Sequence, residues 1–302
     1  MWIHGFFFHI LSLTVEVYLW CKLLTSVIIL EILSLEEEPA LKSLPSTLWS
    51  DGPTDVGLIK NADSVIVQTV SSHRPIKPQY PLSKEAIEGI KPVIKDMEKA
   101  GILIKTNSAT CNTPIFPVKK ANTGKYRLVH DLRAINEIME MIPQVVANPH
   151  TILNQVTPKE QWFSVIDLSN AFFSVPLHPN SQYLFGFTFE GQRYTYTRLP
   201  QGFQNSPTPY AEALKKSMMS CLLPAEGQFL LYVDDILVTG HTEEGCKQNT
   251  MAVLRHLAEQ GHKVSLNKLQ LWRPEVTYLG HTLSAVTNDD DDSDLLEHED
   301  FV

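Results

Sequence analysis

Two adjacent carboxylates set between two strand-length apolar runs constrain this chain more than any other feature. Tyr232-Val233-Asp234-Asp235 follows Phe229-Leu230-Leu231 and precedes Ile236-Leu237-Val238. Each run has the length of a short strand, so the spacing predicts a tight hairpin with the Asp pair at or near its turn. No Gly is present there to relax the turn, which predicts local backbone strain of the kind found at functional sites. Paired carboxylates in apolar surroundings repel, raise a pKa and cost stability unless a cation neutralises them. Oxygen-only ligands suit a hard ion such as Mg2+. Taken alone, an Asp-Asp pair reads better as a polar turn joining two core strands; the rest of the chain changes that balance.

Upstream, Trp162-Phe163-Ser164-Val165-Ile166-Asp167-Leu168 is another apolar, β-prone run with one acid near its end. A lone Asp there serves equally to end the strand or to cap the next element. If this strand pairs beside the Asp234-Asp235 hairpin, the carboxylates converge at one sheet edge. Such a cluster holds two divalent metals about 3.5–4 Å apart, the arrangement used in phosphoryl transfer. Farther upstream, Ile115 to Val129 reads as a hairpin around the loop Ala121-Asn122-Thr123-Gly124. If that loop sets the register, Lys120 faces Lys125, Val118 faces Arg127, and Lys120 and Arg127 share one face. Two neighbouring cations suit an anion such as a triphosphate, although a solvated Lys-rich edge that blocks strand aggregation has the same appearance.

Four ordered stretches resemble the retroviral reverse transcriptases of the murine-leukaemia type, as in a gammaretrovirus-like endogenous pol fragment. Val165-Ile166-Asp167-Leu168-Ser169-Asn170-Ala171-Phe172 is similar to polymerase motif A, and Tyr232-Val233-Asp234-Asp235 to motif C. Leu199-Pro200-Gln201-Gly202-Phe203, with Asn205-Ser206-Pro207, resembles motif B, and Tyr278-Leu279-Gly280 the start of the primer-grip hairpin. The resemblance runs from about Leu44 to Ala285. It implies an α+β polymerase right-hand fold limited to fingers and palm, with an antiparallel palm sheet backed by helices. Fingers would take about residues 70–140 and 176–205, and palm about 141–175 and 206–285.

The same resemblance implies residue roles. Asp167 and Asp234 are the principal ligands of two Mg2+ ions, for which Mn2+ can substitute, with Asp235 adjacent and the Leu168 carbonyl completing the shell. Lys120 and Arg127 take the nucleotide phosphates; Asn170, Ala171 and Gln201 also belong to the nucleotide site. Phe172 matches the aromatic gate against the ribose 2′-hydroxyl, whereas Phe173 reads as core. Asn170 departs from the Asp common in this type, at a position whose backbone matters more than its side chain. The implied activity is RNA-directed DNA synthesis, a nucleotidyl transfer from a deoxynucleoside triphosphate to a primer 3′-hydroxyl on an RNA or DNA template. No thumb, connection or RNase H segment is recognisable after Ala285, so the reading is of a truncated domain that could take its thumb and RNase H from a separate chain. The alternatives are a catalytically incompetent remnant that binds nucleic acid or protein, and a membrane-associated protein using residues 1–35.

A net charge of −9 looks unsuited to a nucleic-acid enzyme, but it is unevenly placed. Residues 1–38 and 287–302 hold 13 of the 34 acids and one of the 25 bases, so the middle carries 21 acids against 24 bases. That mild positivity is compatible with a template–primer without arguing for one. Residues 1–43 read as an apolar non-family segment interrupted by Glu16, Lys22 and Glu31, and lack the basic start of a signal peptide. Residues 286–302 read as an acidic, self-repelling disordered tail. Cys21, Cys111, Cys221 and Cys246 form no C-x-x-C pair, which points to free buried thiols in a reducing compartment, the cytoplasm by expectation.

Ile87, Ile90, Ile94 and Met97 predict one face of a helix over 83–101, kinked or restarted at Pro92. Asn148-Pro149 and Thr208-Pro209 read as N-caps followed by Pro at the first helical position, the latter helix running toward Leu222. Phe185 to Arg198 reads as a hairpin around Glu190-Gly191, and Thr242 and Gly261 bound a further helix.

Overall fold

Ser83 and Gly101 punctuate the first long helix as their chemistry dictates. In the computed structural model, which describes residues 38–120, 124–143 and 148–285, the Ser83 hydroxyl accepts from the Ala86 N–H at 3.1 Å and opens α1 (Lys84–Lys99). Gly101 takes a left-handed φ of 69° just past its end. Ile90, Ile94 and Met97 are buried. Of the kink or restart expected at Pro92, the restart does not occur: the helix is one element, and Pro92 lies on its exposed side, where water can satisfy the carbonyl freed by the missing N–H.

The chain divides into two compact units, Met1–Pro45 and Ser46–Val302. In the first, the described residues include a helical turn, Pro39–Lys42, capped by the Glu38 side chain. The expectations for residues 1–37 (Cys21 and the membrane reading among them), for 121–123 and for the acidic tail 286–302 lie outside the described residues. Among the described residues no helix is long and apolar enough to cross a membrane.

In the second unit, α1 is followed by β1 (Leu103–Lys105) and the hairpin of β2 (Ile115–Lys119) and β3 (Tyr126–His130). Asn148 caps α2 (Pro149–Leu153), its Oδ1 accepting from the His150 N–H at 3.0 Å, as its Asn-Pro sequence predicts. Next come β4 (Trp162–Asp167), then β5 (Phe187–Phe189) and β6 (Gln192–Tyr196), joined through Glu190 and Gly191 at φ 45° and 78°. Positive φ at both central residues is the type I′ hairpin geometry. Helix α3 (Pro207–Met218) starts one residue before Thr208, because Pro207 itself occupies the first helical position. Thr208 is therefore not the cap: the residue before the helix is Ser206, whose hydroxyl donates to the Pro200 carbonyl at 2.9 Å. Strands β7 (Phe229–Tyr232) and β8 (Asp235–Gly240) lead to α4 (Glu243–Glu259), capped by Thr242, then to β9 (Gln270–Arg273), β10 (Glu275–Tyr278) and β11 (His281–Ser284).

The strands form a four-stranded sheet ordered β7-β8-β4-β9, a three-stranded sheet ordered β1-β6-β5, and the hairpins β2-β3 and β10-β11, all antiparallel. Alternation sorts the larger sheet into two faces. Phe163, Val165, Leu230 and Leu237 join Ile152, Val276, Tyr278 and Leu283 in one buried layer, each such side chain contributing about 1.5–3 kcal/mol. On the other face the Thr250 hydroxyl of α4 donates to Ser164 Oγ at 2.9 Å. Ser164 Oγ also accepts from the Trp272 N–H at 3.0 Å, holding a bulge where Leu271 and Trp272 oppose it. Cys111, Cys221 and Cys246 are buried and free.

Two buried histidines make stability acid-sensitive. His130 sits against Phe187 and Tyr196, and His262 shares a 2.9 Å hydrogen bond with Ser217. Burial holds each neutral, with pKa pushed down from 6.5 to about 4. The unfolded chain protonates them near 6.5 and the folded chain does not, so their contribution is present above that pH. It is lost between 6.5 and 4, at up to about 1.4 kcal/mol per pH unit for each group. Asp235, whose pKa is raised to about 6, acts in the opposite direction, so the prediction is a difference. Between pH 7.5 and 5.5 the parent should lose about 1 kcal/mol more unfolding free energy than His262→Gln in urea titrations. Parallel losses would contradict a neutral buried His262.

Candidate active site

Tyr232 pairs with Asp235, so Val233 and Asp234 are the central residues of the β7–β8 turn. Val233 has φ 49°, a left-handed conformation that a β-branched residue adopts at a cost of about 1–2 kcal/mol. The strain expected from the missing Gly is therefore present. In the neighbouring pair Asp167 stands opposite Asp235, and the Leu168 N–H donates to the Asp234 carbonyl at 2.8 Å. The Ser265 N–H donates to the Asp167 carbonyl at 3.0 Å. Asp167, Asp234 and Asp235 thus meet at one end of the β4–β8 pair, each half-buried, and Leu168 is buried.

Charge in this corner is unbalanced. Burial, and then the charge of Asp167, raise the Asp234 pKa. Burial, then Asp234 and Asp167, push Asp235 up to about 6. One ammonium offsets this: Lys268 Nζ lies 2.9 Å from Asp167 Oδ2. Among the described residues no three His, Cys, Asp or Glu groups already stand at metal-ligand spacing; Asp167 directs one oxygen to Lys268 instead. The donor set is oxygen-only and short of positive charge, which fits hard divalent cations.

The β2–β3 hairpin has the register read from its loop. Val118 pairs with Arg127, and the Lys120 N–H donates to the Lys125 carbonyl at 2.8 Å. Lys120, Arg127, Asn170 and Gln201 line one cavity of about 400 Å³. Asn170 is in the left-handed region at φ 54° and starts the helical turn Ala171–Ser174. Ala171 and Phe172 are on that turn, and neither lines the cavity. Phe172 is half-buried and lies edge-on to Tyr210, ring centroids 5.6 Å apart, whereas Phe173 is core. Leu279 and Gly280 form the β10–β11 turn at φ 53° and 80°, and the Tyr278 ring is buried in the core beneath it.

Sequence reasoning missed Lys268 and Tyr210. Lys268 comes from a connection with no motif of its own. Tyr210 is fully buried with its hydroxyl unpartnered, its pKa raised by burial and then by the Asp234, Asp167 and Asp235 charges. Its signal was available: Tyr210 follows the motif B turn at the start of α3. A third feature, Tyr80 donating to Asp131 at 2.6 Å while Arg133 grips the same carboxylate at 2.7 and 2.9 Å, borders a separate cleft.

Comparison with known proteins agrees with this geometry. The family model of reverse transcriptase (RNA-dependent DNA polymerase) matches residues 118–283. The chain is 47% identical over 251 residues to the Gag-Pol polyprotein of walleye dermal sarcoma virus, covering 83% of this chain and 14% of that one. It is 41% identical over 275 residues to the Gag-Pol polyprotein of koala retrovirus, covering 84% and 16%. The chain therefore spans about a sixth or less of the length of these relatives. Among solved structures, the foamy viral protease-reverse transcriptase in complex with RNA/DNA hybrid matches with a TM-score of 0.70 and 34% identity, covering 79% of this chain and 31% of that one. The α+β arrangement of helices and antiparallel sheets is that of retroviral reverse transcriptase fingers and palm, and the chain belongs to the reverse transcriptase (RNA-dependent DNA polymerase) family.

Proposed function

We propose that this chain is an RNA-directed DNA polymerase domain that joins a deoxynucleotide to a primer 3′-hydroxyl on an RNA or DNA template. The observation that carries the reading is the meeting of Asp167, Asp234 and Asp235 at one sheet end. Asn170, three residues past Asp167, lines the cavity that also carries Lys120, Arg127 and Gln201. The neighbour solved with RNA/DNA hybrid supports a nucleic-acid partner.

In this reading Asp167 and Asp234 would hold two Mg2+ ions, or Mn2+, with Asp235 beside them and the Leu168 carbonyl as a further oxygen ligand. Such ions, when bound, acidify the attacking hydroxyl and stabilise charge on the departing pyrophosphate. Lys268 Nζ, 2.9 Å from Asp167 Oδ2, holds that carboxylate in place. Arg127 offers a planar fork and Lys120 a point charge to the triphosphate. Asn170 and Gln201 border the same cavity, and Ala171 continues the turn that Asn170 starts. The Phe172 ring, braced by Tyr210, stands against the ribose 2′-hydroxyl. The Tyr278-Leu279-Gly280 turn faces the primer.

Sugar selection gives the test. On a primed RNA template, dTTP incorporation should exceed UTP incorporation, and Phe172→Val should narrow that ratio by about 10–100-fold, chiefly through UTP. An unchanged ratio would remove the gate assignment, and no incorporation by folded parent chain would favour the remnant.

A further inference from the structure

The lead-in from Leu48 to Lys60 is fastened along its length to the catalytic unit. The Val264 N–H donates to the Leu48 carbonyl at 2.8 Å, and the Ser50 N–H to the Val264 carbonyl at 2.9 Å. The Leu58, Ile59 and Lys60 N–H groups donate to the carbonyls of Gly261, Ser174 and Gln260 at 2.9–3.0 Å. Backbones approach closely enough that a Cβ on Gly57 would stand 2.4 Å from the Gly261 carbonyl oxygen. Val264 bridges Trp49 on one side and Leu168 on the other, so this strap is one extended segment away from motif A.

Its middle is held by side chains. Lys263 Nζ pairs with Asp55 Oδ2 at 3.0 Å and donates to the Trp49 carbonyl at 3.2 Å. Asn170 Nδ2 donates to the carbonyls of Gly52 and Asp55 at 3.4 and 3.3 Å. An Asp at position 170 has no such donor, so these two ties depend on the Asn amide. Held this way, Pro53 and Thr54 line the cavity shared by Lys120, Arg127 and Gln201.

We infer that Gly52–Asp55 is a wall of the deoxynucleoside triphosphate site, and that Asn170 is its positioning residue. Thr54 adds a hydroxyl donor and Pro53 a rigid apolar cover to a cavity polarised by Lys120 and Arg127. This deepens the polymerase reading and rests on it. A wall that contacts nucleotide and not primer acts on nucleotide KM more than on kcat.

The test uses the full chain with Thr54→Val, Gly57→Ala and Asn170→Asp. Each should raise the KM for dTTP on a primed RNA template by about three- to tenfold, kcat changing less than about twofold and primer–template affinity staying constant. Amide exchange supplies a readout independent of turnover, using Mg2+, dTTP and a dideoxy-terminated primer on RNA. Amides of 50–60 should slow when dTTP is added to the parent, and slow less in Gly57→Ala and Asn170→Asp. Unchanged KM in Thr54→Val together with dTTP-insensitive exchange in the parent would overturn the wall. If Gly57→Ala does not fold, Thr54→Val and the parent exchange decide alone. A parent that extends no primer yet shows dTTP-dependent slowing would fail as a polymerase while keeping the strap; one that extends primers with no slowing, and with KM unchanged in Thr54→Val, would do the reverse.

Discussion

Asp234→Asn should lose primer extension by about a thousandfold or more while making the metal-free chain harder to unfold. The two effects have one origin. Asp234 is half-buried, and burial, followed by the Asp167 charge, raises its pKa. A carboxylate whose folded pKa lies above its unfolded value costs stability once ionised; the cost is present at neutral pH and relieved as pH falls through the folded pKa. Asn removes that charge at equal size. The link between the Leu168 N–H and the Asp234 carbonyl is backbone and survives the change. Asp235, pushed up by the Asp234 charge next after burial, should relax toward its ordinary range. Calorimetry at pH 7 in chelator should therefore show a higher Tm for the variant. A lower Tm, with activity lost, would mean that the substitution broke the fold rather than the chemistry.

The second large effect concerns stability. Gly240→Ala should cost about 3 kcal/mol or more, measured as a shift in urea midpoint. Gly240 ends β8 opposite Trp162, and a Cβ there would stand 2.4 Å from the Cys246 N and 2.6 Å from its Cα. Those atoms belong to the first turn of α4. Moving them breaks the cap in which the Gly245 N–H donates to Thr242 Oγ1 at 3.1 Å and the Cys246 N–H to the Thr242 carbonyl at 2.9 Å. Gly191 is the control, since its φ is 78° but nothing lies within 4 Å of a built Cβ. Gly191→Ala should cost only about 1 kcal/mol of backbone strain. Equal losses at the two sites would refute the steric account of Gly240.

What could be read from the sequence was local and periodic. Asp234 and Asp235 sit between runs whose alternation and length leave little choice but a hairpin, and the missing Gly foretold the left-handed Val233. The register that sets Lys120 opposite Lys125 and Val118 opposite Arg127 came from loop length, because register is fixed by the turn. Boundaries were less legible. Thr208-Pro209 has the form of a cap, but Pro207 one position earlier has equal claim to the first turn, and the helix starts there. Pro92 failed to interrupt α1 because its side of the helix faces water. Lys268 and the strap around Asp55 were not legible as site residues. Each acts through a partner distant in sequence, Lys268 on Asp167 and Asp55 on Lys263, and no local pattern encodes such a pairing.

If the three carboxylates make this fold a metal-dependent polymerase, one experiment bears on them without intermediaries. It is single-nucleotide extension of a primer on an RNA template by the purified chain and by Asp234→Asn, each with Mg2+ and with chelator. An extended primer is expected only for the parent and only with Mg2+. Equal extension by Asp234→Asn, or none by a parent shown to be folded, would contradict that role for the carboxylates.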